Sequence, residues 1–318
     1  MAVNLFISNF DFMREFIKIL QAIIFIVFGL FIADFCIGRS VGYLMLRLPD
    51  HGGEICEVNY AINRACPEIV ILGSSRANHH YNCSIISDKF GKIVYNAGID
   101  GTNILYSRCV LQQILSRKIP DMVVLELNVG CLFDGNTVDI KQCRLFADMS
   151  PDLESIVQQY GMSQSLYVNS YRYNSSVLNI LSNIILQKKH AGNNNGFIPL
   201  ANTNLYSGLD WEYRNIDGVL NANTLEEFVS ILNIAQKYGF RLIVVSSPVR
   251  YLYNTNNLST KTIENLCDEY GVIFLDNSQL PYFKEHDEYM KDANHLTGEG
   301  ANVYTDYFLN QLDSLNIN

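Results

Sequence analysis

The run Glu68-Ile69-Val70-Ile71-Leu72-Gly73-Ser74-Ser75-Arg76 sets four consecutive aliphatic residues directly before a glycine and two serines. An unbroken apolar run of this length, closed by a turn signal, is the pattern of a strand buried on both faces, as in a parallel sheet. Gly73 permits a sharp exit from the strand. Ser75, one step into the turn and near the start of a helix, then stands exposed at the strand's carboxyl end. That is the edge on which open parallel sheets bind ligands.

Four further runs of the same character follow, at 92–95, 122–127, 241–246 and 272–275. Between them apolar residues recur at helical spacing over 102–115 after Gly101, over 225–238 after Asn223-Thr224, and over 260–270. Strands alternating with helices form right-handed crossover units, and their product is a parallel sheet covered by helices on both faces. The expected fold class is therefore α/β, a three-layer α/β/α domain with a five-stranded parallel sheet of flavodoxin-like type. The stretch at about 130–218 breaks the rhythm. It lacks a convincing buried strand, is rich in Asn, Ser and Tyr, and reads as helices at 150–160 and 163–188 with a loop at 190–203. An insertion after the third strand hangs over the edge that carries Ser75, so substrate recognition or partner docking is expected of it, with a solvated excursion as the plainer alternative.

Before the domain, residues 16–35 form an apolar stretch of the ~20 residues that a membrane span needs, with Lys18 near enough to its end to snorkel. A cleaved signal peptide is the rival, but no small-x-small site follows the apolar run. The division expected is an N-terminal tail and transmembrane anchor at 1–35, a stalk without periodicity at 36–66, and one domain at 67–318. Arg14 and Lys18 are matched by Arg39 and Arg47 beyond the span, so the count of positive residues hardly orients it. The short leading segment favours an inside N-terminus and an extracytoplasmic domain, periplasmic or at the cell surface.

A formal charge of -9 without Lys/Arg clusters excludes a groove for nucleic acid. The eight cysteines (36, 56, 66, 83, 109, 131, 143 and 267) contain no Cys-x-x-Cys, which removes zinc-ribbon and thioredoxin chemistry. Cys56 and Cys66 are close enough in sequence to pair in an oxidising compartment, whereas Cys83, Cys109 and Cys267 read as small core residues.

A serine hydroxyl is a poor nucleophile until a base lies within hydrogen-bond reach and an acceptor orients that base. Asp292-Ala293-Asn294-His295 supplies a carboxylate and an imidazole three residues apart, on the loop that feeds the last helix. Gly-Ser-Ser alone is common, and so is a surface Asp or His. Their combination describes a serine esterase site of Ser75, Asp292 and His295. His79 and His80 lie close to Ser75, but adjacent helix residues face different ways, and a surface position or a supporting one near the site is expected rather than a metal role. Arg76 and Arg250 are candidates for binding an anionic group of the substrate. Pairing of Arg76 with Glu126 is the structural alternative, favoured because a charge near a buried strand end needs a partner. Tyr251 and Tyr253 lie near the same edge and are given no site.

On these motifs the chain resembles the SGNH (GDSL-type) hydrolase superfamily from about Pro67 onward. It is most similar to the membrane-anchored branch found with cell-surface polysaccharide modification, where Gly-Ser-Ser stands for Gly-Asp-Ser. The resemblance implies Ser75 as nucleophile and Asp292 and His295 as its relay. It also implies an oxyanion hole from the Ser75 N–H, from Gly98 in Asn96-Ala97-Gly98-Ile99-Asp100-Gly101, and from Asn128 in Leu125-Glu126-Leu127-Asn128-Val129-Gly130. The third block departs from the family's Gly-x-Asn-Asp. The implied activity is hydrolysis or transfer of an O-acyl group, foremost acetyl, on a surface or secreted glycan. No metal or organic cofactor is implied; the implied partners are the acylated glycan, the membrane and a membrane-bound acyltransferase. A non-catalytic accessory protein of an envelope polysaccharide assembly is the rival class.

Overall fold

The aliphatic run after Glu68 forms β1 (Ile69–Leu72), all of it buried. The computed structural model describes residues 2–135, 141–161, 164–174, 176–186, 195–205 and 209–317. Helices α1 (Ala2–Met45) and α2 (Glu54–Asn63) precede β1. After it come α3 (Ser75–His80), α4 (Cys83–Phe90), β2 (Val94–Asn96), α5 (Ile104–Leu115) and β3 (Met122–Glu126). The insertion contributes α6 (Lys141–Arg144), α7 (Pro151–Gln159), α8 (Gln164–Tyr167), α9 (Asn169–Tyr173) and α10 (Val177–Leu186). The chain then runs through α11 (Ala222–Tyr238), β4 (Arg241–Ser246), α12 (Leu258–Tyr270), β5 (Ile273–Asp276), α13 (Pro281–Glu285) and α14 (Gly298–Ser314).

All strand pairs are parallel, in the order β2-β1-β3-β4-β5, with Ile69 opposite both Val94 and Met122. The expected three-layer α/β fold is therefore what the chain adopts. Period-two alternation divides each central strand between two cores. Val70, Leu72, Val123, Leu125, Leu242 and Val244 meet α2, α5 and α11 on one face. Ile69, Ile71, Met122, Val124, Ile243 and Val245 meet α4 and α14 on the other. Asparagine starts several of the covering helices: Asn103 accepts from Leu105 N, Asn221 from Thr224 N and Asn257 from Thr260 N. Because β1 and β3 are central and neighbouring, their carboxyl ends deliver the α3 turn and the Glu126-Leu127-Asn128 turn side by side.

Two expectations need correction. Residues 36–66 are not a loose stalk: α1 continues to Met45, and Val41, Met45 and Leu48 are buried with Ile55, Cys56, Val58, Ala61 and Ile62 of α2 in the first core. The spacing of Ile55, Val58 and Ile62 is one face of a helix, and that face covers α5. No disulfide joins Cys56 to Cys66; the former is buried, the latter exposed, and both are free. Cys83, Cys109 and Cys267 are buried as expected. In the insertion, helix 163–188 is broken into α8, α9 and α10, and its positions 163, 175, 187 and 188 lie outside the described residues, as does most of the first half of loop 190–203. The helices of the insertion pack on α1, α2 and α5.

Candidate active site

Leaving β1, the chain turns at Gly73, whose φ of 148° lies where side chains are strained. A Cβ there would sit 2.7 Å from Glu126 O and 2.9 Å from Ala77 Cβ. Glycine therefore lets α3 begin immediately above the sheet, with Ser75 at its first position and Ser74 as N-cap. The first turn of a helix has no intrahelical acceptor for its N–H groups. Among the described residues the Ser75 N–H has no hydrogen bond.

His295 Nε2 lies 2.8 Å from Ser75 Oγ, although the two residues are 220 positions apart. Its other ring nitrogen, Nδ1, lies 2.9 Å from each Asp292 oxygen. An ionised carboxylate only accepts, so Nδ1 carries the proton and Nε2 turns a lone pair toward the serine hydroxyl. Asp292 Oδ1 also accepts from the N–H groups of Asn294 and His295, at 2.8 and 3.0 Å. Burial works to raise the Asp292 carboxyl, but the bond from His295 and these backbone donors outweigh it and hold it below its ordinary range. The loop is closed by Lys291 N–H to His295 O at 2.8 Å and tied to the β4 exit by Arg250 N–H to Ala293 O at 2.9 Å. The structure brings Ser75, His295 and Asp292 within hydrogen-bond distance of one another in that order.

The oxyanion candidates fare unequally. Gly98 N–H donates to Asn96 Oδ1 at 3.0 Å, so that donor is committed inside its own turn. A Cβ on Gly98 would meet Asn78 N at 2.5 Å and Ala77 Cβ at 2.7 Å. The glycine is required by the close approach of this turn to α3, which corrects the expected oxyanion role. Asn128 is exposed, and its Oδ1 accepts from Arg76 Nε at 3.0 Å. With the oxygen held, the amide's NH2 is the end left facing outward. The guanidinium thus orients the Asn128 amide.

Arg76 and Arg250 are both corrected as substrate ligands, because both are buried and paired. Arg76 lies 3.0 Å from Glu126 Oε1, donates to Ser247 O at 3.0 Å and to Leu127 O, and fills the space beneath the α3 turn. The alternative pairing with Glu126 is the one the molecule uses. Arg250 donates to both Asp287 oxygens at 2.6 and 3.1 Å and to Leu209 O at 2.6 Å. Tyr251 and Tyr253 are likewise buried, with Val249 and Ala293 in a satellite core under the Asp292–His295 loop.

A buried polar network below Ser75 extends the Arg76–Glu126 pair. Glu126 accepts from Ser247 N–H at 3.0 Å, from Ser247 Oγ at 2.8 Å and from the Tyr81 hydroxyl. Burial raises the Glu126 carboxyl, and Arg76, Tyr81 and Ser247 pull it part of the way back. His80 is fully buried: Nδ1 lies 2.7 Å from Ser247 Oγ, and Nε2 accepts the Leu296 N–H at 3.1 Å. That acceptor role requires a neutral ring, and burial, then electrostatic repulsion by Arg76 and by the neighbouring histidines, push its pKa well down. His80 thereby holds the residue that follows His295. The signal available was the glutamate closing an otherwise aliphatic strand.

His79 is also buried rather than on the surface. Its Nδ1 lies 2.6 Å from Ile198 O and its Nε2 3.1 Å from Asp100, so both nitrogens face acceptors and both carry protons. Burial opposes that charge, but Asp100, the Ile198 carbonyl and Asp292 raise the pKa overall. His79 therefore ties α3 to the Gly98 turn and to the segment beginning at Asn195, edge-on to His295 at 5.7 Å between ring centroids. Among the described residues no group of three or more His, Cys, Asp or Glu is placed to hold a metal ion. A cavity of about 50 Å³ adjoins the nucleophile turn, bounded by Gly73, Ser74, Thr102, Asn103 and Asn128.

No protein-family model and no curated protein matches this chain. A crystal structure of a protein from Bacteroides fragilis NCTC 9343, provisionally called an acylhydrolase, is similar with a TM-score of 0.36 and 11% identity, covering 78% of this chain and 86% of that one.

Proposed function

We propose that the chain is a serine-dependent O-acyl ester hydrolase or O-acyltransferase, working through an acyl-serine. The observation that carries this reading is the continuous relay from Asp292 through His295 to Ser75 Oγ, with contacts of 2.9 and 2.8 Å. Ser75 Oγ attacks the ester carbonyl as its proton passes to His295 Nε2. The imidazolium, stabilised by Asp292, returns that proton to the alcohol oxygen as the C–O bond breaks. Water or a sugar hydroxyl then gives its proton to His295 as its oxygen attacks the acyl carbon; the acyl–Ser75 C–O bond breaks and His295 returns the proton to Ser75 Oγ.

The developing oxyanion is met by the Ser75 N–H and the Asn128 amide, each such donor typically worth about 2.7–4 kcal/mol in the transition state. The small cavity at the Gly73-Ser74 turn favours a short acyl group such as acetyl over a long chain. A glycan as the alcohol part is taken from the family resemblance, as is an envelope location.

The apolar helix α1 is long enough to cross a membrane, and residues 12–33 are exposed along it. It is assigned as the anchor, with the catalytic domain outside the cytoplasm. The test is covalent: a fluorophosphonate should label Ser75 in the full-length protein, and Ser75→Ala and His295→Ala should each abolish cleavage of a chromogenic acetyl ester while remaining folded. Labelling elsewhere, or turnover surviving either substitution, would remove the enzyme and leave the envelope binding protein as the better description.

A further inference from the structure

Where α1 leaves its fully exposed stretch, it is clamped to the insertion. The Asp34 carboxylate accepts from the N–H groups of Asn169 and Ser170 at 2.9 and 2.7 Å and from Asn169 Nδ2 at 3.1 Å. One turn on, a Cβ at Gly38 would lie 2.3 Å from Asn169 side-chain atoms, so helix and insertion touch directly. Immediately beyond this clamp the two surfaces part. A cleft of about 550 Å³ opens between Phe35, Arg39 and Gly42 on α1 and Leu145, Asp148 and Met149 of the insertion. A Cβ on Gly42 would meet nothing within 4 Å, so the absence of a side chain there helps keep the cleft open.

Its charge is unbalanced. Asp148 is held by Arg172, 2.5 Å away, while Arg39 has no hydrogen-bond or ion-pair partner among the described residues. The depth of Arg39 follows from helix geometry. Counted from Ala33, the last fully exposed residue before Asp34, six residues at ~1.5 Å rise place the Arg39 backbone ~9 Å beyond the hydrocarbon edge, from which its long side chain reaches back into the polar layer. The polar layer of each leaflet is ~5–7 Å deep, the difference between a ~30 Å core and a ~40–45 Å bilayer. A planar guanidinium at that depth, beside apolar walls continuous with the exposed side of α1, matches a phosphodiester whose acyl chains lie along the helix.

We propose that this cleft holds the headgroup of a membrane phospholipid, fixing the height and tilt of the domain above the bilayer. The inference rests on α1 crossing the membrane and is independent of the chemistry at Ser75. It is tested with the full chain reconstituted into vesicles containing a photoactivatable phosphatidylglycerol. Flotation reports insertion, and cross-linking mapped by mass spectrometry reports the cleft. Wild type should cross-link within residues 35–46. Arg39→Ala and the cleft-filling Gly42→Leu should each lower that yield about tenfold, the equivalent of one charge-assisted hydrogen bond, while floating normally. Arg39→Lys, which keeps the charge, should retain more of the signal than Arg39→Ala. Equal yields in wild type and both disruptive variants, or label spread evenly along α1, overturn the site alone. A chain that does not float overturns the span and the site together.

Discussion

Replacing Arg76 with methionine separates what holds the fold from what orients the site. Arg76 is 2% exposed and Glu126 3%, so the substitution leaves a buried carboxylate without its countercharge. Breaking a buried pair from one side costs about 3–5 kcal/mol. Glu126 already has a raised pKa, and loss of the cation raises it further. A carboxyl with a raised folded pKa contributes fully below the unfolded value and loses that contribution as pH climbs through the folded one. The stability deficit of Arg76→Met should therefore be larger at pH 8 than at pH 5. The same change frees Asn128 Oδ1, and kcat should fall toward the 10²–10³-fold typical for a lost oxyanion donor. Adding Glu126→Gln removes both charges and should recover most of the stability, because neutral replacement of a buried pair is well tolerated. It should not recover kcat. The assays are urea midpoints at the two pH values and initial rates on a soluble acetyl ester. A single mutant destabilised by less than about 1 kcal/mol, or a double mutant whose turnover returns with its stability, would refute the division of roles.

Gly98→Ala should destabilise by about 1–3 kcal/mol through overpacking against α3, measured by thermal or chemical melting, and a neutral result would mean that the turn is free to move. Asp100→Asn should loosen the His79 bridge. The His79 contribution is present below the ordinary histidine range and lost as pH rises through its raised value; that of Asp100 is present above the ordinary carboxylate range and lost in acid. The wild-type advantage over Asp100→Asn should thus peak in mildly acidic solution and shrink toward alkaline pH. Asp100 is largely exposed, so the advantage should stay near or below about 1 kcal/mol, and a gap that widens in alkali would contradict the bridge.

The layers of the sheet were legible because central parallel strands have almost no polar residue to confuse the pattern; β1 and β3 are aliphatic until Glu126. Ser75, Asp292 and His295 were legible because each sits where the chain changes from one element to the next. Gly98 was misjudged for a physical reason: a glycine needed for close packing and one offering a free N–H look alike in sequence, and only the Asn96 side chain separates them. Arg76 and Arg250 look like ligands for the same reason, since charge near a functional edge says nothing about whether it is buried. Helix α2 is hard to read in sequence because only Ile55, Val58 and Ile62 carry its period over a ten-residue element, too short for the pattern to stand out.

The separation of 220 residues between the serine and its base has a consequence in time. Closing a loop of that length costs roughly 5 kcal/mol of chain entropy before any contact across it is rewarded. A growing chain therefore presents the Ser75 hydroxyl long before the His295 imidazole can reach it. The Ser75–His295 pair forms late, when α14 docks beside α3 and α4. If Ser75 is the nucleophile proposed above, a partly made molecule would thus be silent toward esters.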